Sequence, residues 1–118
     1  MPTSRHIRVR VDGELVAESS RAKALFETGL PTRWYLPPED VRTDLLLPSD
    51  TKTRCAYKGL ASYCSVRVGG EVAEDLVWYY PDPTREAQDV KDLLCFFNEK
   101  VDVEVDGEPE ERPPTQWS

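Results

Sequence analysis

The chain is short of the groups on which most hydrolytic, redox and metal chemistry depends. Its 118 residues hold one histidine, three cysteines, one methionine and six glycines, and no apolar run approaches the roughly 20 residues of a membrane-spanning helix. With His6 as the sole histidine, a histidine-rich metal site and a Ser-His or Cys-His relay both lose their usual base. Cys55, Cys64 and Cys95 cannot all pair with one another, and none stands in a C-x-x-C spacing. Neither a disulfide scaffold nor a tetrahedral zinc site is therefore expected, and each cysteine reads as a small buried apolar residue. No metal or cofactor motif is found. Positive charge is scarce as well: 15 Lys and Arg face 22 Asp and Glu, for a net charge of −7 and no basic stripe. Such a field repels phosphate backbones and anionic headgroups, which argues against nucleic-acid and membrane partners. Residues 1–10 carry charges where a signal peptide needs an apolar stretch, so a cytoplasmic protein is expected. The length suits one domain with one core and leaves no room for a separate catalytic module.

What is present is strand periodicity. Ile7, Val9 and Val11 alternate with His6, Arg8 and Arg10, and Asp12-Gly13 supplies a hairpin turn before Leu15-Val16-Ala17. The same phrase returns where Val101, Val103 and Val105 alternate with Asp102, Glu104 and Asp106 and close on Asp106-Gly107. One copy carries arginines outward and the other carboxylates, so placing the two strands side by side would pair opposite charges. Tyr63–Val68, Gly69-Gly70 and Val72–Tyr80 read as a long hairpin, and Arg33–Leu36 and Leu93–Phe97 as further strands. Leu36-Pro37-Pro38-Glu39-Asp40-Val41 stops a strand and suits a single helical turn. Ser20–Thr28 fits a short helix or a strand equally well by propensity. Fold class is therefore all-β, with antiparallel sheets over residues 1–107 and at most one or two short helical turns. Residues 108–118 are acidic and proline-rich and read as a flexible tail, with docking of Trp117 as the exception.

A pocket is suggested by Cys55-Ala56-Tyr57-Lys58-Gly59, followed by Tyr63 and Trp78-Tyr79-Tyr80-Pro81. Rings gathered around a lysine in an acidic chain suit a concave site in which aromatic walls flank a cation. Trp78 and Tyr80 share strand parity and hence one face, with Tyr79 on the other. Arg33 and Tyr35 also share a face, which offers a phenol beside a planar guanidinium able to grip a carboxylate or phosphate. Gly59 permits a positive φ and a sharp turn that would hold Lys58 at the sheet rim as an anion clamp or, if desolvated, as a base or nucleophile. Glu27 would neutralise Lys58 or Arg33 if buried with it. The plainer alternatives are core aromatics for Trp78, Tyr80, Tyr35 and Tyr63, a solvated edge charge for Arg33 and a surface lysine for Lys58.

Glu27, Arg33-Trp34-Tyr35-Leu36-Pro37, Glu39-Asp40-Val41, Cys55-Ala56-Tyr57-Lys58-Gly59, Ser62-Tyr63, Trp78-Tyr79-Tyr80-Pro81-Asp82-Pro83 and Phe96-Phe97 closely resemble the bacterial family called domain of unknown function 427, over about Val9 to Gly107. That resemblance implies a β-tent, in which antiparallel sheets lean together over a cavity, and it carries a nucleotidyltransferase-like label. Three positions depart from the family's usual wording: Ala56 replaces a proline, Cys64 a tryptophan and Tyr79 a serine. Each is expected to reshape the cavity or its turn. Other β-tents hold zinc on paired C-x-x-C knuckles, which this chain lacks, so packing alone is expected to join its sheets.

Three classes of function follow. The first is a small-molecule binding module whose cavity takes a compact polar or anionic ligand on Glu27, Arg33, Tyr35, Lys58, Tyr63, Trp78 and Tyr80. A second is an enzyme using Lys58 and Glu27, with a tyrosine, for acid-base or nucleophilic chemistry. Metal-dependent nucleotidyl transfer belongs there, with Asp102, Glu104 and Asp106 as metal-holding acids, although no glycine-rich phosphate loop precedes them and they also suit a guarded edge strand. The third is a protein-interaction domain working through its acidic tail and sheet edges. Ligand identity and the choice between monomer and dimer are not addressed by any spacing in the chain.

Overall fold

A computed structural model of the chain describes residues 1–111. Ten strands are β1 (Ile7–Val11), β2 (Glu14–Ser19), β3 (Lys23–Leu25), β4 (Arg33–Leu36), β5 (Leu46–Cys55), β6 (Gly59–Val68), β7 (Glu71–Tyr79), β8 (Leu94–Phe96), β9 (Asp102–Val105) and β10 (Glu108–Pro109). They form a four-stranded sheet, β10-β9-β1-β2, and a six-stranded sheet, β3-β4-β8-β7-β6-β5. Every strand pair is antiparallel. Among the described residues, helical structure is confined to 3-10 segments at Pro38–Asp40, Thr43–Leu45 and Arg85–Val90. The chain is an all-β protein, as its periodicity implies.

The duplicated hairpin phrase explains the smaller sheet. Asp12 and Gly13 take φ of 50° and 82°, and Asp106 and Gly107 take 54° and 83°, the double positive φ that matches the right-handed twist of the flanking strands. β1 and β9 are neighbours, with Arg8 opposite Glu104 and Arg10 opposite Asp102. Arg10 Nε lies 3.1 Å from Glu104 Oε1, and Arg5 Nη1 lies 3.1 Å from Asp106 Oδ2. The adjacency expected from opposite charges is therefore present.

Inward residues of both sheets close on one apolar cluster. Ile7, Val9 and Val16 of the smaller sheet meet Leu36, Val66, Val77 and Phe96 of the larger one, and all are nearly inaccessible to water. This core packs between the sheets, and a cleft opens on the outer face of the six-stranded sheet.

Three segments show tertiary context at work. Ser20–Thr28 contains strand β3 and no helix: Lys23, Ala24 and Leu25 pair with Tyr35, Trp34 and Arg33, and the Ala24 N–H donates to the Met1 carbonyl at 2.8 Å on the other side. Two ladders outweigh the modest helix preference of so short a window. β5 is a ten-residue edge strand that carries Pro48 and a bulge between Pro48 and Lys52. There Ser49 and Thr51 donate side-chain hydrogen bonds to Asp75 at 2.5 and 2.7 Å. Proline and charge mask its alternation, although both are ordinary protection for an edge. Finally, residues 108–110 are ordered despite their tail-like composition. β10 pairs with β9, and the Glu110 carboxylate accepts from Asn98 Nδ2 at 2.9 Å and Trp34 Nε1 at 3.3 Å. Docking of Trp117 lies outside the described residues.

Candidate functional site

Alternation in β4, β6, β7 and β8 turns Arg33, Tyr35, Tyr63, Trp78 and Cys95 to the outer face of the larger sheet, while Trp34, Leu36, Cys64, Val77 and Phe96 face the core. Trp78 and Tyr80 share the outer side and Tyr79 packs inward, as strand parity requires. The outer aromatics form a second cluster in which Tyr35 and Trp78 meet edge to face at 6.3 Å and Trp78 and Phe97 lie 4.5 Å apart. Trp78 Nε1 donates to Tyr35 Oη at 3.3 Å, and Tyr63 Oη shares a 2.8 Å hydrogen bond with Thr53 Oγ1. Burial pushes the Tyr35 phenol far above its ordinary pKa. The Tyr80 phenol is raised too, chiefly by burial, with the Cys55 and Tyr63 side chains adding to it. Both are neutral at physiological pH.

Arg33 is set into this cluster. Its Nη1 and Nη2 donate to the two oxygens of Glu99 at 2.8 and 3.1 Å, Nη1 also reaches Asn98 Oδ1 at 3.2 Å, and Cζ sits 5.2 Å from the Trp78 ring centroid. Burial alone would lower the guanidinium's pKa, but the hydrogen bonds and charge of Glu99 raise it further. The same bonds hold the Glu99 carboxyl below the ordinary carboxylate range against its own desolvation. Arg33 is thus a bidentate, ring-stacked pair, with three of its five N–H donors engaged inside the protein.

Lys58 is placed differently. The turn from Cys55 to Gly59 joins β5 to β6, and Gly59 has a φ of 107°, as its role in a sharp turn requires. Space there is tight: a Cβ on Gly59 would meet the Asp82 carbonyl oxygen and the Thr84 nitrogen at 3.4 Å. The Thr84 N–H donates to the Lys58 carbonyl at 2.9 Å, and its hydroxyl donates to the Tyr57 carbonyl at 2.5 Å. Thr84, directly after the Pro81-Asp82-Pro83 run, therefore braces the lysine turn. Lys58 Nζ lies 3.0 Å from Glu27 Oε1 and 4.0 Å from Cys55 Sγ. The lysine side chain is 15% exposed and that of Glu27 41%.

Between this turn, β3 and the Arg85–Val90 segment lies a cleft of about 570 Å³. Lys23, Ala24 and Leu25 line it from β3, and Cys55, Ala56 and Lys58 from the turn. Ala87 and Val90 line it from the 3-10 segment, with Glu86 and Asp89 beside them, and Tyr35, Glu27, Met1 and Tyr57 complete the wall. Most of this surface is apolar, which suits small-molecule recognition around a few convergent polar groups.

Of the residues singled out in the sequence, Glu27, Tyr35 and Lys58 meet in the cleft. Arg33, Tyr63, Trp78 and Tyr80 share the same sheet face but stand behind the cleft wall as its packed support. Glu27 pairs with Lys58, and Arg33 takes Glu99 instead. Of the three family departures, only Ala56 lines the cleft. Cys64 and Tyr79 both pack against the inter-sheet core, so they alter that core and not the cleft wall. Ala87 and Val90 escape sequence reasoning because a six-residue 3-10 segment has too few turns to show a period. Among the nucleotidyl-transfer acids, Glu104 and Asp106 are paired with Arg10 and Arg5.

Among the described residues no helix is long and apolar enough to cross a membrane. A search of curated proteins gives no match. A family model, described as Domain of unknown function (DUF427), matches residues 1–107. The chain belongs to that family, whose short name carries a nucleotidyltransferase-like label.

Proposed function

We propose that this chain is a cytoplasmic small-molecule binding module whose ligand, a compact polar or anionic compound, occupies the outer-face cleft. The observation that carries this reading is the juxtaposition of apolar walls with one half-sheltered ion pair, Lys58–Glu27, in a volume of about 570 Å³, within the size range of small-molecule sites. Lysine suits the task because its three donors rotate, and beyond the bonds to Glu27 Oε1 and, weakly, Cys55 Sγ one is left for a ligand. Three free thiols support a reducing compartment. A thermal-shift screen of soluble metabolites against the chain and its Lys58→Met variant tests the proposal. A true ligand raises the melting temperature of the parent and loses most of that effect in the variant. A screen in which no compound stabilises the parent, or in which every hit is indifferent to Lys58, would remove the cleft from consideration.

One observation favours an enzymatic reading. Cys55 Sγ lies 4.0 Å from Lys58 Nζ, in the same cleft as Glu27, so a thiol nucleophile with a cation and a carboxylate nearby is available. Turnover of a bound compound that disappears in Cys55→Ser and Glu27→Gln, with binding retained, would promote this reading over simple recognition.

A further inference from the structure

Resting on the reading of the cleft as a small-molecule site, we infer that its ligand presents a neutral carbonyl oxygen to the Tyr35 phenol, as a carboxamide does, in place of a second anion to Lys58. An indole N–H can only donate, so Tyr35 Oη is the acceptor of the 3.3 Å bond from Trp78 Nε1. The phenol's own hydrogen therefore remains to be donated, and among the described residues it finds no acceptor. Tyr35 is 1% exposed and lines the cleft. A buried donor without a partner is costly, and a carbonyl entering the cleft would supply one.

Charge separates a carbonyl from a carboxylate or phosphate. Lys58 is already matched by Glu27 at 3.0 Å, and Lys23 Nζ donates to the Asp89 backbone carbonyl at 2.8 Å. Lining the cleft, Lys23, Lys58 and the Met1 ammonium, which donates to the Ala24 carbonyl at 3.0 Å, are balanced by Glu27, Glu86 and Asp89, so no net positive charge is left for a second anion. A further anion would have to displace Glu27 from Lys58 or accept its repulsion. A carboxamide meets neither obstacle. Its oxygen takes the Tyr35 hydrogen, and its N–H is matched by Glu27 Oε2, which accepts no hydrogen bond from the described residues. Burial keeps the phenol protonated and hence a donor.

Three probes on one ring isolate the argument: benzamide, benzoate and phenyl phosphate, titrated into the full chain by NMR at one ionic strength. Benzamide should bind roughly five- to tenfold more tightly than benzoate, the range of one buried hydrogen bond, with phenyl phosphate weakest. Tyr35→Phe should bring benzamide down to the level of benzoate. If benzoate or phenyl phosphate binds best at the cleft, the carbonyl inference is overturned while the binding-module reading stands. Benzamide preference that survives Tyr35→Phe overturns the role given to the phenol. Should none of the three perturb the amides of Ala24, Ala87 and Lys58, the cleft reading itself fails, and the inference with it. If Tyr35→Phe does not fold because the Trp78 indole loses its acceptor, the ranking of the probes on the unaltered chain decides the matter.

Discussion

Arg33 and Lys58 occupy the same face of the same sheet, each with a glutamate partner, yet they serve opposite ends. Arg33 is locked: two parallel hydrogen bonds to Glu99, a third to Asn98 and a tryptophan ring at 5.2 Å leave the guanidinium with no part in the cleft. Lys58 makes one ion-pair contact, to a carboxylate that is 41% exposed, and its ammonium faces an open cleft. The difference follows from chemistry: a rigid planar fork is best used where geometry is fixed, and a rotatable point charge where a partner must be exchanged. Similar residues on one sheet face can thus be divided between holding the fold and meeting a ligand by how firmly their partners already hold them.

The sharpest way to break this comparison is Arg33→Met. Removing one member of a largely buried pair leaves Glu99 without its counter-charge, and a loss of about 3 kcal/mol of unfolding free energy is expected, at the low end of such losses because Glu99 keeps some exposure. Urea denaturation measures it, and a change under 1 kcal/mol would make Arg33 an ordinary surface charge. Next comes Gly59→Ala. At φ 107°, with backbone atoms of residues 82 and 84 waiting at 3.4 Å, a methyl group should cost about 1–3 kcal/mol. It should also weaken ligand binding, because the lysine turn shifts with it; unchanged stability would mean that the turn is not braced.

Acid sharpens the contrast further. The Glu99 carboxyl is held below its unfolded pKa by Arg33, so its contribution is complete above the ordinary carboxylate value of about 4 and is lost as pH falls through the lower folded value. Melting temperature should therefore decline in acid more steeply for the parent than for Arg33→Met, and parallel curves would contradict the assignment. The smallest effect on stability belongs to Lys58→Met, expected at about 1 kcal/mol or less, since Glu27 keeps access to water. That variant should nonetheless lose ligand-dependent stabilisation. A collapse in stability comparable to that of Arg33→Met would reverse the division of labour between the two cations.

Much of this arrangement is legible in the chain. Val9-Arg10-Val11-Asp12-Gly13 and Val103-Glu104-Val105-Asp106-Gly107 announce two hairpins and their mutual pairing, because period-two burial, charge complementarity and turn chemistry are all local. Parity placed Trp78 and Tyr80 on one face, and Gly59 marked the turn that holds Lys58. What a sequence cannot display is which of several like residues on a face lies under another segment. Arg33 and Lys58 looked equally available until Glu99, 66 residues from Arg33, was seen to close over one of them. The cleft itself is made by a 3-10 segment, the three-residue edge strand β3 and the turn from Cys55 to Gly59, each too short to show a period. It lies outside the larger sheet, while Ile7, Val66, Val77 and Phe96 pack between the sheets.

An amide chemical-shift map recorded while the chain is titrated with a pool of small carbonyl and carboxylate fragments tests the outer-face cleft most directly. The account predicts that shifts gather at Ala24, Leu25, Ala56, Lys58 and Ala87, while Val66, Leu76 and Val103 of the inter-sheet core stay still. Shifts centred on that core, or a spectrum that no fragment moves, would contradict it.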